Sequence, residues 1–434
     1  MKRILESASR AGGVDLEAWE SAIRTAVLIA GAKALEGLLQ GIGVGRRREP
    51  VMCSCGTRMV SRGVREKTLL SILGPVAFAR TMFQCPKCGR VCYPGDEALD
   101  VVGTTRTPGL RRMMARAGSR STFKEGCEDL RIYAGIPVSP KDVERVAERI
   151  GEEMEAWRKQ EAQEVVVEQG EQRVEKTIPV LYAEYDGTGV PMTKAEVAGR
   201  KGKQADGSAR TREAKLGCVF TQTTTNKEGR PIRDPDSTTF VGAIETAEEF
   251  GWRIYAETRR RGLDQAARVV ILGDGAVWIL NLAETHFPGA ILIVDLYHAK
   301  EHVSGLCKLL FSEETDLQRH RLRWWTDLEE GNIEKIVAEA KALLPRRGKN
   351  RKAALTEIAY LEKNRERMRY ADFRAQGLFV GSGVVEAGCK TVIGQRLKQS
   401  GMEWSVRGAN DIIALRCVML SNRFEDYWES RCAS

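Results

Sequence analysis

The sequence predicts an α/β protein. A mixed sheet covered by helices is interrupted by an all-helical insertion and preceded by a cysteine-rich ribbon and a pair of helices. Three observations carry this. Short apolar runs begin at about residue 173 and pass into strand–helix alternation. Two paired-cysteine knuckles lie upstream. Residues 299–375 are helical in pattern and dense in charge. At 434 residues the chain is too long for one compact core and reads as two to four domains.

Taken in order, residues 14–40 read as a helix, with Leu16, Trp19, Ile23, Val27, Leu35, Leu38 and Leu39 near helical spacing. Such a stripe usually serves as core and more rarely as a dimer contact. Gly41 to Pro50 reads as a Gly/Arg linker. Cys53-Ser54-Cys55 and Cys85-Pro86-Lys87-Cys88 then flank a stretch of strand character from Thr68 to Met82, broken at Gly74-Pro75. Two knuckles on hairpins match a structural zinc ribbon, because four thiolates close a tetrahedron without further ligands. The one-residue spacer of the first knuckle is the less usual one. Cys92 is an alternative ligand, and free thiols are the plain alternative.

Residues 105–155 read as a helix-turn-helix. Phe123, Cys127, Leu130 and Ala134 share one apolar face, Gly135-Ile136 makes the turn, and Ser139-Pro140 supplies an N-cap and a proline at the first helical position. Val143, Val146 and Ile150 form the buried face of the second helix. Lys141, Arg145 and Arg149 lie off that stripe, where a major-groove helix presents its cations. A plain helical hairpin has the same pattern.

Past residue 173, strands are expected at 177–185, 216–222, 237–243, 268–272 and 290–295, and helices at 245–262 and 276–286. The basic, Gly-rich stretch Gly199 to Arg212 reads as a mobile loop placed to touch phosphate. The block 299–375 reads as an all-helical insertion whose tryptophans serve its core. A Gly-marked turn at 381–383 leads into the last helices. The expected segments are therefore an N-terminal helical segment (1–42), a zinc-ribbon module (43–103), a helix-turn-helix (104–160), the first part of the sheet domain (161–300), the insertion (301–378) and the C-terminal helices of the sheet domain (379–434).

A net charge of +9 and a pI near 9.0 favour an acidic partner, most simply DNA or RNA. The excess is local: residues 43–125 hold 16 Lys/Arg against 6 Asp/Glu, a net of +10. No apolar run approaches the roughly 20 residues that span a bilayer, and the first residues lack an apolar signal core. The expected location is cytoplasmic, associated with the nucleoid, with no membrane partner. The eleven cysteines are then reduced or metal-bound.

Three acids stand in short glycine-marked motifs. Asp186 follows the apolar run Ile178 to Tyr185, Asp274 follows Val269 to Leu272 and a glycine, and Glu386 lies just after Gly381-Ser382-Gly383. Asp295 ends another apolar run and is an equal rival on spacing alone; Asp-Gly pairs are often only turns. Strand order separates them. In a ribonuclease-H-like fold the first and fourth strands lie side by side, and acids there and on a late helix converge on two metal ions. That order selects Asp186, Asp274 and Glu386.

The chain resembles the DDE transposases of bacterial insertion sequences, specifically the ISKra group, over essentially its whole length. The motifs are Pro94-Gly-Asp-Glu97, Asp186-Gly-Thr-Gly-Val-Pro191, Arg212-Glu-Ala-Lys-Leu-Gly217, Gly273-Asp-Gly275, Gly381-Ser-Gly-Val-Val-Glu-Ala-Gly-Cys-Lys390 and Gln395-Arg-Leu-Lys-Gln-Ser-Gly401. The resemblance implies that Asp186, Asp274 and Glu386 are a catalytic triad binding two Mg²⁺ or Mn²⁺ ions. It implies DNA partners, both transposon ends and target, and a homodimer or higher homo-oligomer. Structural Zn²⁺ would be held by Cys53, Cys55, Cys85 and Cys88. Asp295-Leu-Tyr-His298 resembles an Asp-x-x-His motif that accompanies such sites, and Lys390 either holds a phosphate or pairs with Glu386. Arg212, Lys215, Arg396 and Lys398 are the remaining expected DNA contacts. His298 and His302, one turn apart, are also spaced to share a metal. Two other readings are a domesticated, non-catalytic DNA-binding regulator and a metal nuclease without strand transfer.

Overall fold

The computed structural model describes residues 15–42, 50–167 and 177–432. Most of the expected linker, including Arg46 to Arg48, lies outside the described residues. The chain divides into two compact units, residues 1–150 and 151–434.

In the first unit, helix α1 (Leu16–Ile42) packs Ala32, Leu35 and Leu39 against a hairpin of β1 (Val60–Ser71) and β2 (Gly74–Gln84), whose core contribution is Leu69, Val76 and Phe78. The hairpin closes at Ser71↔Gly74, and Gly74 takes the left-handed conformation that a tight reversal needs. The two-residue β3 (Val91–Cys92) pairs with Phe83 and Gln84, and α2 (Pro94–Ala98) follows. Helices α3 (Pro108–Arg120), α4 (Phe123–Ala134) and α5 (Pro140–Val167) then share a core of Leu110, Met114, Leu130, Ile136 and Val143. Thr122 and Glu125 form a capping box at the start of α4, and Gly135 at φ 69° ends it. The turn falls at the expected Gly135. The second helix differs: it runs 28 residues, and both the expected boundary at 160/161 and the division between units lie inside it. Its apolar face repeats past Ile150 through Met154, so nothing in the sequence stops it there.

The second unit is built on a five-stranded sheet with spatial order β10-β9-β4-β5-β8. Strand β4 (Ile178–Pro191) is followed by α6 (Lys194–Val197), β5 (Thr211–Gln222), a small hairpin of β6 (Thr224–Thr225) and β7 (Pro231–Ile232), β8 (Thr239–Ala243), α7 (Ala247–Arg260), β9 (Ala266–Gly273), α8 (Val277–His286) and β10 (Ile291–Val294). β4, β5 and β8 are antiparallel, whereas β9 and β10 run parallel to β4. The first and fourth long strands therefore lie side by side, as expected. The strand period of two splits β4 between faces. Leu181, Ala183 and Tyr185 enter one core with Phe250 and Ile254 of α7 and Ile279 and Leu282 of α8. Tyr182, Glu184 and Asp186 face the other way, where Tyr182 stacks on Phe220 with ring centroids 4.8 Å apart.

Residues 296–375 are helical: α9 (Leu296–Leu310), α10 (Glu314–Glu329), α11 (Ile333–Ala342), α12 (Lys349–Asn364) and α13 (Tyr370–Ala375). Trp324 is wholly buried there and donates to Glu339 at 2.8 Å. The chain returns through α14 (Gly383–Gly388), a π-helical stretch at Cys389–Gly394, α15 (Gln395–Leu397), α16 (Val406–Leu420) and α17 (Phe424–Cys432). Among the described residues, no helix is long and apolar enough to cross a membrane.

Candidate functional site

The apolar run of β4 ends at Tyr185, but the strand does not. It continues to Pro191, paired with β5 from Thr211 onwards, because a hairpin partner sustains the ladder without a buried face. The parallel pairing with β9 stops at Glu184↔Leu272. Two residues further on, Asp186 and Asp274 stand at the same level where β9 leaves the sheet. Gly275 makes that exit: its φ is +78°, and a Cβ there would lie 2.7 Å from the Tyr360 hydroxyl. Tyr360 donates to the Asp274 carbonyl at 2.9 Å, and the Ala276 amide donates to Asp274 Oδ1 at 2.8 Å.

Asp186 is half-buried. Burial raises its pKa above the usual aspartate value, and the charge of Asp274 adds to this, against the Cys389 thiol and the Gly187 amide that both donate to the carboxylate. Cys389 sits three residues after Glu386. The spacing rules of the sequence passed over it because a lone Cys carries no pattern. Gly388 brings this segment down onto the sheet: a Cβ there would meet Phe240 at 2.7 Å.

Glu386 is exposed at the start of α14, and the two buried acids missing from the triad hold the approach to it. Asp295 caps α9 by accepting from the His298 amide at 2.6 Å, and accepts from the Ser382 amide at 2.6 Å. Ser382 Oγ lies 3.0 Å from Asp295 Oδ2 and 3.1 Å from Glu386 Oε1. The Asp295 amide donates to the Gly273 carbonyl at 2.7 Å, so one residue ties β9, α9 and the turn before Glu386 together. Glu184 was not singled out in the sequence. It is fully buried, it accepts from the Val385 amide at 2.9 Å, and its other oxygen has no partner. Burial pushes its pKa up to about 8, the Asp295 charge adding to the rise. The available signal was a single carboxylate inside an apolar run, on the same strand face as Asp186.

The expected DNA contacts divide by exposure. Lys390 and Lys398 are exposed, and Lys398 donates to Thr188, two residues along β4 from Asp186. Lys141, Arg145 and Arg149 are exposed on α5, Lys141 paired with Glu144 at 2.6 Å. Two expectations are corrected. Arg396 is wholly buried, its guanidinium 5.1 Å from the Trp404 ring centre, out of reach of a phosphate. Lys215 lies in β5, 8% exposed, and its ammonium donates to Glu213 and to the Glu245 carbonyl, both at 3.0 Å. Arg212 is half-exposed in the same strand, 3.9 Å from Glu196. The ring of His298 turns to His302, with the two Nε2 atoms 3.2 Å apart.

In the first unit, the sulfurs of Cys53, Cys55, Cys85 and Cys88 all lie within 4.8 Å of one another. Cys53–Cys88 and Cys55–Cys85 are 3.5 and 3.6 Å apart. A tetrahedron with Zn–S bonds of about 2.3 Å has edges of about 3.8 Å, so the donor set fits zinc. Hydrogen bonds from Thr57 help to bring Cys55 down to about 6. The Arg90 amide opposes a rise at Cys88, but the Cys53 and Cys85 thiols push it up to about 11. Cys92 stands outside the group, its sulfur 3.6 Å from that of Met59. Among the described residues this is the one set of three or more potential ligands gathered so closely. Asp186, Asp274 and Glu386 do not form such a set.

No family model matches the chain. A curated relative, the "UPF0236 protein in vanSb 3'region" of Streptococcus gallolyticus, is 22% identical over 377 residues, covering 85% of this chain and 75% of its own length. Among solved structures, the Drosophila P element transposase strand transfer complex aligns with 74% of this chain and 80% of that one, at 9% identity and a TM-score of 0.23, too distant a superposition to carry an argument.

Proposed function

We propose that the chain is a DNA transposase of the DDE type, with a ribonuclease-H-like domain that cuts DNA at the ends of its own mobile element and joins the freed 3′-hydroxyl to target DNA. The observation that carries this reading is the parallel pairing of β4 and β9 up to Glu184↔Leu272, with Asp186 and Asp274 each two residues beyond it and the turn before Glu386 tied to the same sheet through Asp295 and Glu184. The motif resemblance supplies the reaction class.

Three carboxylates at a sheet end suit hard divalent cations, which want oxygen ligands. Asp186, Asp274 and Glu386 would hold Mg²⁺ or Mn²⁺ in their ionised forms. Such a pair supplies Lewis-acid stabilisation of the attacking and leaving oxygens of phosphoryl transfer. The rest falls to the chain. Gly275 and Tyr360 fix the Asp274 turn, the Cys389 thiol orients Asp186, and Ser382 orients Glu386. Lys390 and Lys398 sit where a DNA phosphate would pass. The basic first unit, stiffened by zinc, would grip the terminal repeats through phosphate contacts, with a few side chains of α5 reading bases.

The test uses purified full-length protein, Mg²⁺ or Mn²⁺, and DNA carrying the repeats that flank its gene. Cleavage and joined products are expected, with losses of at least about 10²–10³-fold for Asp186→Ala and Asp274→Ala. Equal cutting by Asp186→Ala would refute the assignment. Nicks without joined DNA would leave a nuclease, and binding without cleavage would leave a regulator.

A further inference from the structure

We propose a transition-metal site on the helical block, formed by His298 and His302 of α9, whose donors are neither the three carboxylates nor the thiolates. It does not rest on the functional reading above. The two rings lie one turn apart, and their Nε2 atoms are 3.2 Å apart. Two nitrogens bound at about 2.0–2.1 Å with a tetrahedral angle stand about 3.3–3.4 Å apart, so the spacing suits one shared ion once the rings turn their Nε2 lone pairs toward it.

The surroundings are those of ligating imidazoles. A metal-bound histidine normally gives its other ring N–H to a carboxylate, which fixes tautomer and orientation. Here the far nitrogen of His302 has one, Nδ1 lying 2.6 Å from Glu357 Oε2, whereas His298 Nδ1 stands 3.7 Å from Glu301 Oε2, an ion-pair distance rather than a hydrogen bond. Tyr360 stacks on the His302 ring with centroids 3.7 Å apart, holding its plane. Both Glu357 and Tyr360 come from α12, so the ring is set by a second helix. The His298 and His302 side chains keep 34% and 25% of their surface exposed, which leaves an entry for an ion and its waters.

The proton accounting closes. Without metal, His302 donates Nδ1–H to Glu357 and accepts at Nε2 the Nε2–H of His298. On uptake the His298 proton moves from Nε2 to Nδ1, beside Glu301, and both Nε2 lone pairs face the ion. Imidazole donors select Zn²⁺, Ni²⁺ or Cu²⁺ over Mg²⁺, so this site and the carboxylates take different classes of ion.

The experiment uses the full chain with its thiolates already loaded with zinc, titrated with Ni²⁺. One Ni²⁺ per chain is expected. Affinity should fall at least about 10-fold in His302→Ala and on the order of 10- to 100-fold in Glu357→Gln. It should not change in His320→Ala, a histidine elsewhere in the block. Cu²⁺ in the native protein should show coupling to two imidazole nitrogens by electron paramagnetic resonance. Native affinity in both His298→Ala and His302→Ala, or Ni²⁺ appearing only with thiolate absorption, would overturn the site. Should the variants misfold, a native Cu²⁺ spectrum without two imidazole couplings overturns it alone.

Discussion

The thiolate cluster of the first unit and the carboxylate site of the second solve the same problem at different ranges. Cys53, Cys55, Cys85 and Cys88 come from two knuckles joined by one hairpin, and their sulfurs already stand at tetrahedral spacing. Asp186, Asp274 and Glu386 come from two strands and a late helix. They need buried intermediaries, Glu184, Asp295, Ser382 and Cys389, to bring them near one another. A closed set of soft donors holds one ion as structure. An open set of hard donors keeps positions for a substrate.

The largest effect that separates them is metal removal. Chelation, or Cys85→Ser, should unfold the two knuckles, since zinc binding to such thiolates is worth on the order of 10 kcal/mol and the cluster of Cys53, Met59 and Cys85 beside them is small. Zinc per chain and hydrogen exchange would report it. Magnesium removal should leave exchange in β4 and β9 unchanged while abolishing cleavage. A β4 that melts without Mg²⁺ would erase the contrast.

Acid should take the two units apart in order. Zinc leaves first, as protons compete for thiolates. The second unit holds longer because of Glu257 on α7. Burial alone would raise this carboxyl, but Arg260 and Arg158 outweigh burial and, with the Thr239 hydroxyl, hold it at about 2. The folded value lies below the ordinary 4.5. Its stabilisation, on the order of 3 kcal/mol, is therefore complete above about 4.5 and disappears as pH falls through about 2. Glu257→Gln should flatten the acid limb of a urea-stability curve over that window. Glu184, equally buried but facing no cation at contact distance, goes the opposite way.

Asp295→Ala comes next. It strands the Ser382 and His298 amides and should cost about 2–3 kcal/mol in denaturant midpoints. It should also lower cleavage without touching the triad. Asp295→Asn keeps one of the two acceptor oxygens and sets an NH2 against the other amide, so it should recover only part of the stability.

These differences follow what was legible in the sequence. Apart from the end of β4 and the start of β5, the long strands and two helices expected between residues 177 and 295 lie within about two residues of expectation, because apolar runs mark buried strands. The knuckles were legible because their ligands are local. What was not legible is tertiary. Spacing alone does not distinguish Asp295 from Asp274; the expected strand order does, but that Asp295 is a buried strut is seen only in the structure. Glu184 hid in an apolar run. The polar end of β4 and the start of β5 lie outside the expected strands because a hairpin extension needs no apolar face, and that hides the burial of Lys215. The length of α5 was missed because a helix-turn-helix was expected to stop.

Arg396 and Lys398 give the smallest and sharpest test. They stand two residues apart in one motif, yet one is wholly buried against Trp404 and the other exposed beside Thr188. Each phosphate contact contributes about 0.7–0.9 to the slope of log affinity against log salt. Lys398→Ala should therefore lower that slope by about one and leave the melting temperature unchanged. Arg396→Ala should do the reverse: lost packing and a lower melting temperature, with an unchanged slope in whatever fraction folds. If both variants shift the slope alike, Arg396 reaches DNA by a rearrangement of the π-helical turn, and the carboxylate site is more open than its buried struts imply.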